Sequence, residues 1–191
     1  MAQRYPELTD DLTEFIRQQK LYFVATASNG HINLSPKGMD SLRVLDAKTV
    51  AWLNVTGSGN ETAAHVLEDG RMTIMFCAFE GRPVVLRLYG KARVYHARDE
   101  GWQFYTQHLP VLPGARQIFV LDIELVQTTC GLGVPFFEYK SEREKLIDWA
   151  IGKGHDGLQE YWGRKNRLSL DGKSTGIFDE REGAGEGLAQ E

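Results

Sequence analysis

The feature that most restricts how this chain can fold is a series of β-prone segments separated by turn residues and by short helices. In segment 84–95, apolar and polar residues alternate, which is the period of a strand with one buried face. Because the connections are too short for a parallel sheet with crossover helices, the pattern predicts an antiparallel barrel. The strand candidates are 21–28, 31–35, 49–55, 72–79, 84–95 and 117–129.

Short helices are predicted around and after these strands. Asn29-Gly30 predicts a two-residue hairpin turn between the first two strands, and Asp11 with Glu14 predicts the start of a helix. The predicted helices cover 11–20, 60–69, 99–108, a stretch that follows a capping box at Ser141 and Glu144, and 156–164. We therefore expect a barrel domain over 1–140, a helical C-terminal extension over 141–178 and a mobile Gly- and Glu-rich tail over 179–191.

Composition excludes several classes of function. The chain has 22 Lys and Arg against 26 Asp and Glu, a net charge of −4, which gives no reason to expect nucleic acid or an anionic membrane surface as a partner. Its two cysteines and five histidines show no metal-ligand spacing, and no GxSxG hydrolase motif occurs. With no leader and no apolar run long enough to span a bilayer, we expect a soluble, cytoplasmic protein without a metal.

The stretch VTGSGNETAAHV, residues 55–66, has the composition of a phosphate site. Gly57 and Gly59 let backbone N–H groups converge just before a helix start, where the helix dipole is positive. Thr56, Ser58 and Thr62 could donate hydroxyl hydrogen bonds to the same oxygens. Two plainer interpretations stay open here, namely that Asn60 only caps the helix after an ordinary loop and that His65 only packs in the core.

Two further segments could contact a ligand. NLSPKGMD, residues 33–40, ends a strand with Lys37 held between a proline and a glycine, so Lys37 could pair with an anion or simply be a solvated turn residue. TCGLGVPFFEY, residues 129–139, follows the longest strand and offers Phe136 and Phe137 to a ring system. Cys130 has no base beside it in the sequence, and a buried, unreactive thiol is the alternative there.

Taken in order along the chain, the pieces NLSPKG, WLNVTGSGNETAAH, LRLYGKARV and CGLGVP resemble the pyridoxamine 5′-phosphate oxidase-like family of FMN-binding split barrels. The resemblance covers residues 8–139. It implies a mainly β fold, a six-stranded antiparallel split β-barrel with short peripheral helices, to which this chain adds its helical C-terminal extension. It also implies a homodimer with FMN bound in the clefts between the subunits.

The resemblance also assigns the cofactor-binding positions. A basic Arg-Lys pair of the oxidases proper is replaced here by Asn60-Glu61, and their Arg-x-His element is missing, which argues against oxidation of pyridoxamine phosphate. The implied FMN contacts are Ser35, Pro36, Lys37 and Gly38 on one strand, Asn54, Val55, Thr56, Ser58, Asn60 and Thr62 around the glycine loop, and Cys130, Gly131, Val134 and Phe136 from the partner subunit.

The function implied is that of an FMN-dependent oxidoreductase acting on a small organic substrate, with NADH or NADPH as a candidate electron donor. No catalytic residue is assigned, because the flavin ring carries the chemistry. Two alternatives remain, a non-catalytic protein that binds or senses flavin or haem, and a reductase that uses a deazaflavin.

Overall fold

The computed structural model describes residues 2–178 and contains one antiparallel sheet of eight strands. The strands are β1 (Gln3–Tyr5), β2 (Tyr22–Thr26), β3 (Asn33–Lys37), β4 (Leu42–Asp46), β5 (Thr49–Val55), β6 (Arg71–Cys77), β7 (Val84–Tyr95) and β8 (Ala115–Cys130). Their order across the sheet is β3-β2-β6-β7-β8-β5-β4, with β1 beside β8. Among the described strands the two ends of this path, β3 and β4, do not pair with each other, so the barrel is split and the predicted fold class is confirmed.

The prediction of six strands was wrong by two. Strand β4 has only partly buried and exposed side chains and lies at one edge of the sheet, and the three residues of β1 pair only with β8. Edge strands of this kind carry little of the alternation that reveals a strand in sequence. By contrast, β5 and β7 begin and end at the predicted residues, because their buried faces are apolar.

Four helices flank the sheet: α1 (Asp10–Gln18), α2 (Glu61–Glu68), α3 (Gly101–Thr106) and α4 (Lys145–Lys165). The hydroxyl of Thr9 caps α1 by accepting from the N–H of Leu12 at 3.3 Å, so the cap predicted from Asp11 and Glu14 was wrong. The capping box predicted at Ser141 was also wrong, because α4 begins at Lys145 and Glu144 makes no side-chain cap. Gly154, with φ of 63°, kinks α4 at the point between the two helices that the sequence predicts.

The connection between β2 and β3 is longer than the predicted two-residue turn. Residues 27–32 form it, and Gly30 adopts a φ of 136°. The carboxylate of Asp171 accepts from the backbone N–H of His31 at 2.9 Å and lies where a Cβ on Gly30 would stand. A distant part of the chain therefore determines the shape of this hairpin, which a local turn signal cannot predict.

In the core, the last residues of β5 lie beside the first residues of β8. Trp52 and Phe119 stack between these strands with ring centroids 4.7 Å apart, and both are fully buried. The register pairs Val55 with Ala115, so the loop after β5 meets the first residues of β8. This juxtaposition of two distant segments creates the site described below. No helix in the described range is long and apolar enough to cross a membrane.

Candidate functional site

The glycine loop that follows β5 is fastened at its first residue. The backbone N–H and the hydroxyl of Thr56 both donate to the carbonyl of Gly114 at 2.8 Å. The same hydroxyl oxygen accepts from the indole N–H of Trp162 in α4, also at 2.8 Å. Because its proton is already engaged, Thr56 shapes the loop in this structure instead of offering a donor to a ligand.

The carbonyl groups of the glycine loop face the protein. Gly57 accepts from the side-chain amide of Asn166, and Gly59 accepts from the guanidinium of Arg116, each at 3.1 Å. Since the peptide unit is planar and trans, the N–H of the same peptide points the opposite way. Within residues 2–178, the backbone N–H groups at positions 57–60 have no hydrogen-bond partner. The N–H groups of Ser58 and Asn60 therefore point away from these contacts and are left for a ligand, as donors are in an anion-binding nest.

Two cationic side chains lie near this loop without a carboxylate beside them. Arg116 is only 5% exposed, and its Nε atom is buried without a partner. Burial lowers the pKa of Arg116 to about 10, with Tyr161 acting in the opposite direction. Burial, and then the positive charge of Arg116, lowers the pKa of the partly buried Lys37 to about 8. In the described part of the chain neither residue forms an ion pair, so this site favours an anion.

Asn54 belongs to a buried polar chain that extends away from the loop. Its amide N–H donates to the side-chain oxygen of Gln117 at 3.4 Å, and the amide nitrogen of Gln117 lies 3.1 Å from Nε2 of His96. Burial, followed by the charge of Arg98, lowers the pKa of His96 to about 4, so this imidazole is neutral at pH 7. The arrangement fixes the orientation of the Asn54 side chain.

The helix start after the loop is also buried. Asn60 precedes α2 but makes no side-chain cap, so the interpretation of Asn60 as an ordinary helix cap was wrong. Its amide N–H instead donates to the backbone carbonyl of Asn166 at 3.3 Å. Thr62 accepts from the side chain of Asn33 at 3.0 Å, and its own hydroxyl proton is left for another acceptor. Ser58 is exposed at the loop surface.

The NLSPKG segment forms β3 and the turn after it. Ser35 has a buried hydroxyl without a partner in the described chain, whereas Pro36 is exposed. The carbonyl of Gly38 accepts from the hydroxyl of Ser41 at 2.7 Å. The side-chain amide of Asn33 in β3 donates to the hydroxyl of Thr62 at 3.0 Å, so this segment lies beside the start of α2 and two of the three predicted groups come together.

The third predicted group makes no hydrogen bond or ring contact with that site within the described residues of one protomer. Cys130 ends β8 opposite Val84 and is exposed, and the N–H of Gly131 donates to the carbonyl of Pro83 at 3.2 Å. Val134 is partly buried and Phe136 is 82% exposed. Among residues 2–178, no hydrogen bond or ring contact joins these four positions to Lys37 or to the glycine loop.

Three residues of this site were missed by the sequence analysis. Arg116 could have been found, because it is a charged residue that comes just before the apolar run 118–121 of a predicted strand. Trp162 and Asn166 carry no such signal, since they lie more than a hundred positions after the loop they bind. The packing interpretation of His65 is confirmed: it is buried, and its Nδ1 lies 3.1 Å from the Thr26 hydroxyl.

Comparison with known proteins supplies the family. The family model for pyridoxamine 5′-phosphate oxidase matches residues 8–130. The pyridoxamine 5′-phosphate oxidase family protein ustO of Aspergillus flavus is 36% identical over 189 aligned positions, which cover 88% of this chain and 75% of that protein. The crystal structure of a HupZ variant from Group A Streptococcus is similar with a TM-score of 0.50 at 21% identity, covering 63% of this chain and 98% of that one. A Lactobacillus delbrueckii structure provisionally assigned as a pyridoxamine 5′-phosphate oxidase gives 0.50 at 21% identity, covering 64% and 94%.

Proposed function

This chain belongs to the pyridoxamine 5′-phosphate oxidase family, and we propose that it is an FMN-binding oxidoreductase that acts on a small organic substrate. One observation carries the proposal. Two cationic side chains, the buried Arg116 and the partly buried Lys37, lie beside a loop whose N–H groups at positions 57–60 have no partner within the described residues. In a chain of net charge −4, such a local concentration of positive charge and donors fits a ligand that ends in a phosphate.

The residues present fit that group. Arg116 has an unused buried Nε, and Lys37 carries a charge that burial disfavours, so both gain from a bound dianion. The glycine loop adds N–H donors at positions 57–60. These interactions replace the basic pair that the oxidases proper have where this chain has Asn60-Glu61. FMN, whose phosphate is terminal, is therefore the cofactor we assign.

The isoalloxazine ring of FMN supplies hydride transfer when it is bound. The chain supplies position and an electrostatic environment. Lys37 and Arg116 hold the anionic end, Gln117 keeps the Asn54 amide in one orientation, and the unpartnered Ser35 hydroxyl is left for a polar atom of the ligand. Neutral His96 supports this arrangement without adding charge.

A second copy of the chain completes the site in this proposal. Residues 130–137 place Leu132, Phe136 and Phe137 on the surface with exposures of 79%, 82% and 61%, which is costly unless another surface covers them. In this proposal Cys130, Gly131, Val134 and Phe136, which make no hydrogen bond with Lys37 among the described residues of one protomer, contact the flavin of the partner in a homodimer. Analytical ultracentrifugation at micromolar concentration should give a dimer, and a monomer would contradict this part of the proposal.

The test of the function is a visible spectrum recorded while FMN is added to the purified chain, followed by NADH or NADPH without oxygen. We expect flavin bands that shift on binding and bleach with a reduced nicotinamide. Arg116→Met should weaken FMN binding strongly, whereas Arg71→Met, which removes an exposed arginine paired with Asp69, should not. If the unaltered chain binds no FMN, the proposed function is wrong; if FMN binds without bleaching, the nicotinamide donor is wrong.

A further inference from the structure

The C-terminal segment 166–177 packs against the glycine loop, although it lies outside the region that matches the family model. Asn166 and Thr175 are completely buried, and Ser169 and Ile177 are nearly so. A segment of mixed polarity is buried in this way only if its polar groups find partners. Those partners include the glycine loop and the residue that begins α2, as well as the β2–β3 connection, Glu68 and Arg98.

Asn166 makes the central contacts. Its side-chain amide donates to the Gly57 carbonyl at 3.1 Å, and its backbone carbonyl accepts from the Asn60 amide at 3.3 Å and from the Thr175 hydroxyl at 2.5 Å. Four residues further on, the N–H of Leu170 donates to the carboxylate of Glu61 at 2.7 Å. Both positions that depart from the basic pair of the oxidases therefore bind this segment.

We propose that Asn166 is a positioning residue, which turns the glycine-loop peptides so that their N–H groups face the phosphate of the cofactor. The proposal rests on the proposed function. Gly57 has no side chain of its own to pack, and a Cβ at this position would meet no atom within 4 Å, so local packing does not determine the orientation of the peptide that follows it. The bond from Asn166 to the Gly57 carbonyl supplies that restraint, and the planar peptide passes it to the N–H on the other side.

The consequence is specific to the phosphate. A loop that is free to rotate loses conformational entropy when a ligand orders it. This loss lowers the affinity only of a ligand that binds the loop. FMN has the phosphate and riboflavin lacks it, while both carry the same ring. The ratio of their affinities therefore reports on the loop and is insensitive to general damage elsewhere in the barrel.

The test compares FMN and riboflavin binding by flavin fluorescence in the full chain and in Asn166→Ala. We expect FMN affinity to fall on the order of 10-fold and riboflavin affinity to stay within about 2-fold, the size of change that freeing a few glycine-loop dihedrals produces. The matched control is Ser169→Ala, which removes another buried polar side chain, whose hydroxyl accepts from the backbone N–H of Lys173 in the same segment. It should leave the ratio unchanged.

If Asn166→Ala does not fold, judged by circular dichroism, Thr175→Val carries the test, because it keeps the side-chain shape but removes the bond to the Asn166 carbonyl. It should lower FMN affinity in the same phosphate-dependent way. Equal losses for FMN and riboflavin, or no loss for FMN, would overturn the role of Asn166 and leave the proposed function standing. Binding of neither flavin by the unaltered chain would refute the proposed function itself.

Discussion

Replacing Lys37 by methionine should stabilise the ligand-free protein and weaken FMN binding at the same time. Burial and the nearby charge of Arg116 lower the pKa of Lys37 from 10.5 to about 8, so the folded state disfavours the charge that this side chain carries at pH 7. Methionine has a similar length without the charge. A charged residue that lowers the stability of the folded state is typical of a ligand site.

The magnitude follows from the pKa. One pH unit is worth about 1.4 kcal/mol, so the change from 10.5 to about 8 sets an upper limit of about 3 kcal/mol on the stability gained by removing the charge. Lys37 is only partly buried, and screening by water brings the expected gain to about 1–2 kcal/mol. Loss of a charged hydrogen bond to phosphate, worth about 1.5–3 kcal/mol, should weaken FMN binding by about 10- to 150-fold.

The pH dependence of the stability is a second test of this prediction. Because the pKa of Lys37 is lowered by folding, the wild-type chain regains stability as the pH rises from about 8 to 10.5 and the folded side chain loses its proton first. The difference between the Lys37→Met variant and the wild type should therefore be largest below pH 8 and disappear near pH 10.5. Urea denaturation of the ligand-free protein at pH 7 and pH 10 measures it.

The control is Lys48→Met, which removes an exposed lysine and should change neither stability nor FMN affinity appreciably. Two results would refute the reasoning. A Lys37→Met variant that is less stable than the wild type without ligand would mean that the charge has a partner in the fold. Unchanged FMN affinity would remove Lys37 from the site.

Three further predictions concern the fold around the site. Since burial lowers the pKa of His96 to about 4, stability should fall by up to about 3 kcal/mol as the pH drops from 6.5 to 4, and His96→Gln should remove this part of the acid dependence in urea titrations. Gly30→Ala should lower the free energy of unfolding by at least about 1 kcal/mol more than Gly81→Ala. Both glycines have positive φ, but only at Gly30 would the added Cβ meet the Asp171 carboxylate, 2.3 Å away, so equal losses would contradict the contact. Phe119→Ala should cost about 3–5 kcal/mol, since it empties the stack against Trp52, and a loss under about 1 kcal/mol would contradict the packing.

The parts of the fold that sequence predicts are those with a strong local pattern. The apolar face of β7 and the run of small and hydroxyl residues before α2 define their elements without help from the rest of the chain. The order of the motifs then indicates the split barrel. Local patterns fail at the hairpin loop around Gly30, where a distant carboxylate determines the conformation, and at edge strand β4, whose side chains show no buried face.

The residues of the candidate site also differ in how well the sequence predicts them. Lys37 and the glycine loop are visible in sequence because proline, glycine and hydroxyl residues mark them. Arg116 is marked only as a charged residue at the start of a strand, and Asn166 carries no signal in the sequence. Their bonds to the loop arise from strand register and from docking of the C-terminal segment, which bring residues more than fifty positions apart into hydrogen-bond distance. The Asn60-Glu61 pair is a clear example. In sequence it is a departure from the oxidases, and in the structure both residues bind the C-terminal segment.

A crystal structure of the chain grown with FMN tests the central claim most directly. The account predicts the phosphate within hydrogen-bond distance of Arg116 or Lys37 and of N–H groups at positions 57–60, with the ring at a subunit interface that includes Phe136 of the other protomer. A flavin whose phosphate lies away from both cations, or an unoccupied site at millimolar FMN, would contradict it.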